Sequence, residues 1–169
     1  YLGTYSPDRQ PTLERLLIEP ARRLPRRRFV IGGAQYPDSF PWTSNIYFVQ
    51  HLPPAEHPAF FCSSTLTLNV TRDAMKRMGW CPSGRLFEAA CGVPLISDHW
   101  EGLEAFFEPG RDILVARETD DVTTAMMLPR DHLATLARRA RERTLEEHTA
   151  ERRVRELRSI LDIKGGGDD

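Results

Sequence analysis

Cysteine is scarce in this chain of 169 residues: Cys62, Cys81 and Cys91 are all it has. No two stand as Cys-x-x-Cys, and an odd count argues against a disulfide framework. A reducing cytoplasm is the simpler expectation. Net charge is equally scant, at -1 over 23 basic and 24 acidic residues, so no overall field draws the chain to nucleic acid or lipid. Long apolar runs are missing; Phe29–Ile31 and Ile113–Ala116 are far too short to span a bilayer, so no transmembrane segment is expected. No signal-peptide pattern opens the chain, and Tyr1 reads as a start inside a domain. His51, His57, His99, His132 and His148 show no metal-ligand spacing, and no metal site is expected. The glycine loop Gly3-Thr4-Tyr5-Ser6-Pro7-Asp8 lacks the Gly-x-Gly-x-x-Gly of a dinucleotide-binding oxidoreductase, which ranks that class low.

What is present is the balance of an ordinary globular domain, 40% hydrophobic and 28% charged, sufficient for one core. The expectation is one domain over residues 1–163 and a flexible glycine-rich end at 164–169. Six runs read as strands: Tyr1–Thr4, Arg28–Ile31, Ile46–Val49, Thr65–Val70, Val93–Ser97 and Asp112–Ala116. Pro11–Glu19 places Leu13, Leu16 and Leu17 on one helical face and is bounded by Pro20. Pro53–Phe61, Asp73–Gly79, Arg85–Cys91, Glu101–Phe107 and Thr119–Met127 read as further helices. From Asp131 the pattern is helical nearly to the end, with Val154, Leu157, Ile160 and Leu161 as one apolar stripe. Strands alternating with helices predict an α/β fold: a Rossmann-like, doubly wound parallel sheet of about six strands, helices on both faces, and a long C-terminal helix. Ligands of such sheets bind past the carboxyl ends of the strands.

The segment Pro82-Ser83-Gly84-Arg85-Leu86-Phe87-Glu88 is the densest in chemistry. A loop with Pro, Ser and Gly enters a helix whose first turn leaves N–H groups free and whose dipole favours an anion. Ser83 can add a hydroxyl donor, Gly84 admits close approach of a ligand, and Arg85 offers a fork of donors suited to a diphosphate. Glu88 lies about one turn further along the same face, where a carboxylate can accept from two adjacent ribose hydroxyls. The plain alternative is that Ser83 only caps the helix and Arg85–Glu88 is only a surface (i, i+3) pair; taken locally, the plain alternative is the commoner outcome.

Across its length the chain resembles the donor domain of GT-B glycosyltransferases, in particular bacterial group 1 enzymes that include spore-maturation-type proteins. Gly84-Arg85-Leu86-Phe87-Glu88-Ala89-Ala90-Cys91-Gly92-Val93-Pro94-Leu95-Ile96-Ser97-Asp98 is similar to their donor-site signature. Tyr1–Tyr5, Phe29–Gly33, His51–Pro54, Thr67–Arg72, Glu101–Leu103, Glu108–Val115 and Glu147–Arg152 resemble the flanking pieces in the expected order. The resemblance implies the C-terminal half of a two-domain enzyme that binds a nucleoside-diphosphate sugar, uses no metal, and works with an N-terminal acceptor-binding domain of the same protein. It implies that Glu88 holds the ribose, that Arg85 with Ser83 and Gly84 holds the diphosphate, that Gly3 and Thr4 lie near the phosphates from the opposite loop, and that Arg72 serves the same end. Two departures stand out. Many relatives carry a second glutamate, with seven residues between it and the ribose glutamate, where this chain has Trp80. Many also have one more residue between the ribose glutamate and the Cys-Gly-x-Pro turn.

A catalytically inactive nucleotide-binding or interaction module of the same fold is the alternative, since fold does not fix function. Asp98 and Glu101 can act on the sugar or be solvated loop residues. The five arginines between Arg22 and Arg28 lack interleaved aromatic side chains, and the eight arginines and five glutamates of Arg138–Arg158 mix signs at helical spacing. Both suit solvated surface better than a nucleic-acid site.

Overall fold

The computed structural model describes residues 1–80, 82–90 and 92–161. Cys81, Cys91 and residues 162–169 lie outside the described residues, and with them the expected flexible end at 164–169. Five parallel strands form two small sheets instead of the six-stranded sheet expected. β1 (Phe29–Gly33) pairs with β2 (Ile46–Gln50); β3 (Thr67–Asn69), β4 (Leu95–Asp98) and β5 (Leu114–Ala116) pair in the order β3-β4-β5. The run Tyr1–Thr4 makes only a single parallel bridge, Leu2 to Gly32, although its backbone follows β1 through Gly32 N–H to Tyr1 O and Gly3 N–H to Gly32 O, both 2.9 Å. A cavity of about 410 Å³ is lined by Tyr1, by Phe29 and Val30 of β1 and by Thr67 and Leu68 of β3, and no ladder among the described residues joins the two sheets. Proline shortens β4 at its start: Pro94 has no N–H to give, and its carbonyl instead accepts from Thr67 N–H at 3.0 Å.

Helices cover both faces, as side-chain alternation along β4 requires. Leu95 belongs to one core with Leu86, Leu103, Phe107, Ile113 and Ala140; its neighbour Ile96 belongs to another with Leu16, Ala116, Val122 and Ala125. The first core is roofed by α3 (His57–Cys62), α5 (Gly84–Ala90) and α7 (Arg130–Glu147), the second by α6 (Thr119–Ala125) and the helical rod of the chain's start. Leu86, Leu95, Leu103 and Phe107 are fully enclosed, each worth about 1.5–3 kcal/mol against exposure.

The rod does not stop at Pro20. A 3-10 turn (Pro7–Arg9) leads into α1 (Gln10–Leu13), a π-turn (Glu14–Ile18) and α2 (Glu19–Arg23). Proline inside an α-helix loses one hydrogen bond and presses on the carbonyl four residues back. The π-turn widens the coil just before Pro20, whose side chain is buried, so the helix passes through. The C-terminal helix is broken in two, α7 and α8 (Ala150–Ile160), at His148, whose φ of -122° leaves the helical region. There its ring packs against Phe87, Phe106 and Phe107 and its Nε2 lies 2.9 Å from Phe106 O. Thr149 then caps α8 by accepting from Arg152 N–H at 3.3 Å. The stripe of Val154, Leu157, Ile160 and Leu161 is exposed. No helix of the described residues is long and apolar enough to cross a membrane. The expected Glu101–Phe107 helix contracts to a 3-10 turn, Leu103–Ala105, after Gly102 at φ +91°.

One buried ionic tie closes the ends of β3 and β4. Asp98 Oδ1 accepts from the Thr71 amide and hydroxyl at 3.0 and 2.9 Å, and Oδ2 lies 2.6 Å from Lys76 Nζ on α4 (Asp73–Met78). The expectation of a solvated or sugar-facing Asp98 is thus corrected: its side chain is 3% exposed. Burial pushes this carboxyl above the usual carboxylate range, against the pull of Lys76 and Thr71. The folded state therefore holds the proton more tightly than the unfolded chain. That contribution is complete below the ordinary pKa and is lost as pH rises through the raised one.

Two expectations follow for unfolding in urea. The stability of the wild-type chain relative to Asp98→Asn should be greater at about pH 4 than at about pH 7; a difference that does not change with pH would contradict the raised pKa. A Cβ at Gly33 would overlap the Gly3 carbonyl oxygen, at a φ of +153°. Gly33→Ala should therefore cost about 3 kcal/mol by prising the first run off β1.

Candidate functional site

The carboxyl ends of the first run and of β3 meet the start of α5 around a cavity of about 250 Å³. Each wall comes from a different local cause. Gly3 and Thr4 end the first run, held to β1 as described. Asn69 ends β3, with Arg72 three residues on, before α4 begins. Ser83 and Arg85 open α5, and the hydroxyl of Ser83 donates to Asn69 Oδ1 at 3.0 Å. The first turn of the rod adds Arg9.

The structure thus brings together Gly3, Thr4, Arg72, Ser83 and Arg85 on one cavity. Gly84 is exposed at the start of α5, with open space where a Cβ would stand, and is not part of the wall. Glu88, a turn further on, lies outside the cavity. Its carboxylate is half exposed, 3.2 Å from His57 Nδ1 and 3.8 Å from Arg85 Nη1.

Electrostatically the site is a ring of guanidinium groups. Arg9 Nη1 donates to Thr4 O at 2.9 Å, while its Nε is enclosed and makes no hydrogen bond. Arg85 is 39% exposed as a side chain, yet its Nη1 is enclosed and likewise without a hydrogen bond. Arg72 Nη2 donates to Ser6 Oγ at 3.2 Å and its Nε lies 3.7 Å from Asp8 Oδ2. The Ser6 hydroxyl, with Arg72 and the Asp73 amide behind it, holds the Asp8 carboxyl below its usual range. Enclosed polar groups are almost always paired; Arg9 and Arg85 are two cavity residues that each carry a guanidinium nitrogen left unpaired.

Sequence reasoning missed three participants. Arg9 carries no local signal, because only the tertiary turn after Gly3 brings it to the cavity. His57, set aside as a scattered histidine, partners Glu88. Asn69 had a signal: Thr67, Asn69 and Thr71 alternate with Leu66, Leu68 and Val70, which puts a polar row on the inner side of a buried strand. Trp80 is 62% exposed, in the left-handed region at φ +52°. Its N–H donates to Glu101 O at 2.9 Å, and its indole lies so close to Gly102 that a Cβ there would come within 2.6 Å.

Comparison with known proteins places this architecture. Over 96% of the chain the fold matches the structure of Anabaena HepE in complex with UDP-glucose, at 15% identity and a TM-score of 0.73, using 48% of that chain. It matches sucrose-phosphate synthase from Thermosynechococcus elongatus at 14% identity and 0.73, over 96% of this chain and 45% of that one. T4 phage BGT in complex with its UDP-glucose substrate matches at 15% identity and 0.67, over 96% and 48%. The chain therefore spans about half the length of these solved structures. No curated protein matches by sequence. The profile of a glycosyl transferase-like family covers residues 9–159, and the chain belongs to that family.

Proposed function

We propose that the chain is the donor-binding half of a GT-B glycosyltransferase, and that its cavity receives the diphosphate of a nucleoside-diphosphate sugar. The observation that carries this is the convergence of Arg9, Arg72 and Arg85 on one small cavity, two of them with an enclosed, unpaired N–H. Arg85 and Arg9 grip the phosphate oxygens from opposite walls. The backbone N–H of Ser83, whose hydroxyl is given to Asn69, adds a neutral donor, that of Gly84 lies just beyond the wall, Gly3 and Thr4 close the far side, and Arg72 adds charge from the rim. With seven residues, α5 contributes a modest dipole, so the guanidinium groups supply most of the positive charge. Glu88 accepts from the ribose hydroxyls while His57 fixes its other side.

During transfer the bond between the sugar carbon and the phosphate oxygen breaks, and negative charge grows on the diphosphate. Donors already aimed at those oxygens stabilise that charge more than they stabilise the ground state. The acceptor, and the group that takes its proton, belong to the other domain, which completes the cleft. Two of the similar structures hold UDP-glucose, which makes uridine diphosphate (UDP) the first probe. Trp80, standing where relatives place a sugar-contacting glutamate, favours a second reading, a non-catalytic nucleotide-binding module. Donor binding without turnover, once the acceptor half is joined to the chain, would decide for it.

Titration calorimetry with UDP tests the site. Arg85→Ala and Arg9→Ala should each weaken binding by about 1.5–3 kcal/mol, the worth of hydrogen bonds to a charged group. Unchanged affinity in both would remove the cavity from the reading. Glu88→Gln should weaken UDP while leaving inorganic pyrophosphate unaffected, because only the nucleotide carries a ribose.

A further inference from the structure

The carboxylate at the end of β4 has no task in the donor site as described. Asp98 does not line the cavity, is buried, and has both oxygens engaged, one by Thr71 and the other by Lys76. The chain of contacts runs on. Thr71 Oγ1, which donates to Asp98, accepts from Asn69 Nδ2 at 3.4 Å, and Asn69 Oδ1 accepts from the Ser83 hydroxyl at 3.0 Å. Asn69 also donates to Ser97 Oγ at 3.3 Å. One polar series thus leads from Lys76 through Asp98, Thr71 and Asn69 to Ser83. Asn69 and Ser83 are cavity wall, and Arg72 follows Thr71 directly.

Stability does not account for this carboxylate. Its burial raises its pKa, so the ionised form costs folding free energy at neutral pH, and a well-packed apolar pair folds as well as a buried ion pair. Direct attraction to a bound anion does not account for it either, because a negative charge beside a diphosphate opposes binding. What it supplies is an acceptor for both the amide and the hydroxyl of Thr71, which fixes the backbone one residue before Arg72.

We propose that Asp98 is a positioning residue of the donor site: by clamping Thr71 it holds Asn69, Ser83 and Arg72 in the arrangement that a diphosphate requires. The proposal rests on the donor-site reading above. It makes Thr71 and Lys76 accessory parts, the first as the clamped group and the second as the charge that keeps Asp98 ionised in a buried place.

Charge and geometry predict opposite results for one variant. Asp98→Asn removes a negative charge near the site, so electrostatics alone tightens UDP binding; its amide oxygen accepts from Thr71 without the aid of charge and its NH2 faces Lys76, and the clamp so loosened weakens it. In calorimetry with UDP, D98N is expected to bind about tenfold more weakly than the wild-type chain. Thr71→Val, which alters no charge, is expected to bind about threefold more weakly. Hydrogen exchange at the Thr71 amide should accelerate in D98N. Equal or tighter binding by D98N overturns the proposal and leaves the donor site standing. If D98N does not fold, Thr71→Val decides, and unchanged affinity there is the overturning result. A wild-type chain that binds no UDP removes the donor site itself, and this proposal with it.

Discussion

Three guanidinium groups drawn to one small cavity repel one another, and the surrounding structure is organised by the need to keep them there. A pair of like unit charges roughly 8 Å apart costs about 2 kcal/mol at an effective dielectric near 20. The chain offsets this without consuming the donors. Asp8 stands 3.7 Å from Arg72 and Glu88 3.8 Å from Arg85, close enough to lower the potential and too far to take a hydrogen bond. Arg9 gives one N–H to the Thr4 carbonyl and keeps its Nε free. Carboxylates at this distance lower the repulsion between the guanidinium groups without taking up their N–H groups.

Position is held by the backbone. Parallel strands send their carboxyl ends the same way, and the ends of the first run and of β3 line one cavity with the start of α5. The strands are short, three to five residues, and among the described strands the first run pairs only with β1. Its close approach depends on glycine on both sides: Gly3 presents its carbonyl where any side chain at Gly33 would stand. The polar series from Lys76 to Ser83 does on the other wall what this glycine contact does on the first, with side chains in place of main chain.

These facts explain what the sequence disclosed. The five strands, the parallel arrangement and the helix at Arg85 were legible because alternation and helical period survive in a single chain. The two sheets, the passage of a helix through Pro20 and the break at His148 were not. Each depends on a partner distant in sequence: the unbonded side of Tyr1–Thr4, the packing around the π-turn, the aromatic trio that takes in the His148 ring. The site divides the same way. Ser83 and Arg85 stood out through a local pattern, and Gly3, Thr4 and Arg72 through resemblance. Arg9 comes to the cavity, and Asp98 meets Thr71 and Lys76, only through the fold.

Features that cost folding energy gather at the same end. Among the described residues, the three non-glycine residues in the left-handed region are Gln35 after β1, His51 after β2, and Trp80 in the loop that leads to Ser83. Trp80 is flanked by Gly79 at φ +64° and rests on Gly102 at +91°. Arg9 and Arg85, each with one enclosed and unpaired nitrogen, line the cavity at that end, and the buried charge of Asp98 closes β4 there. Backbone strain, an unsatisfied donor and a desolvated carboxylate are independent penalties. Where they meet, beside the cavity, they are what the proposed donor site would require, because strained loops keep their shape whether or not a ligand is bound.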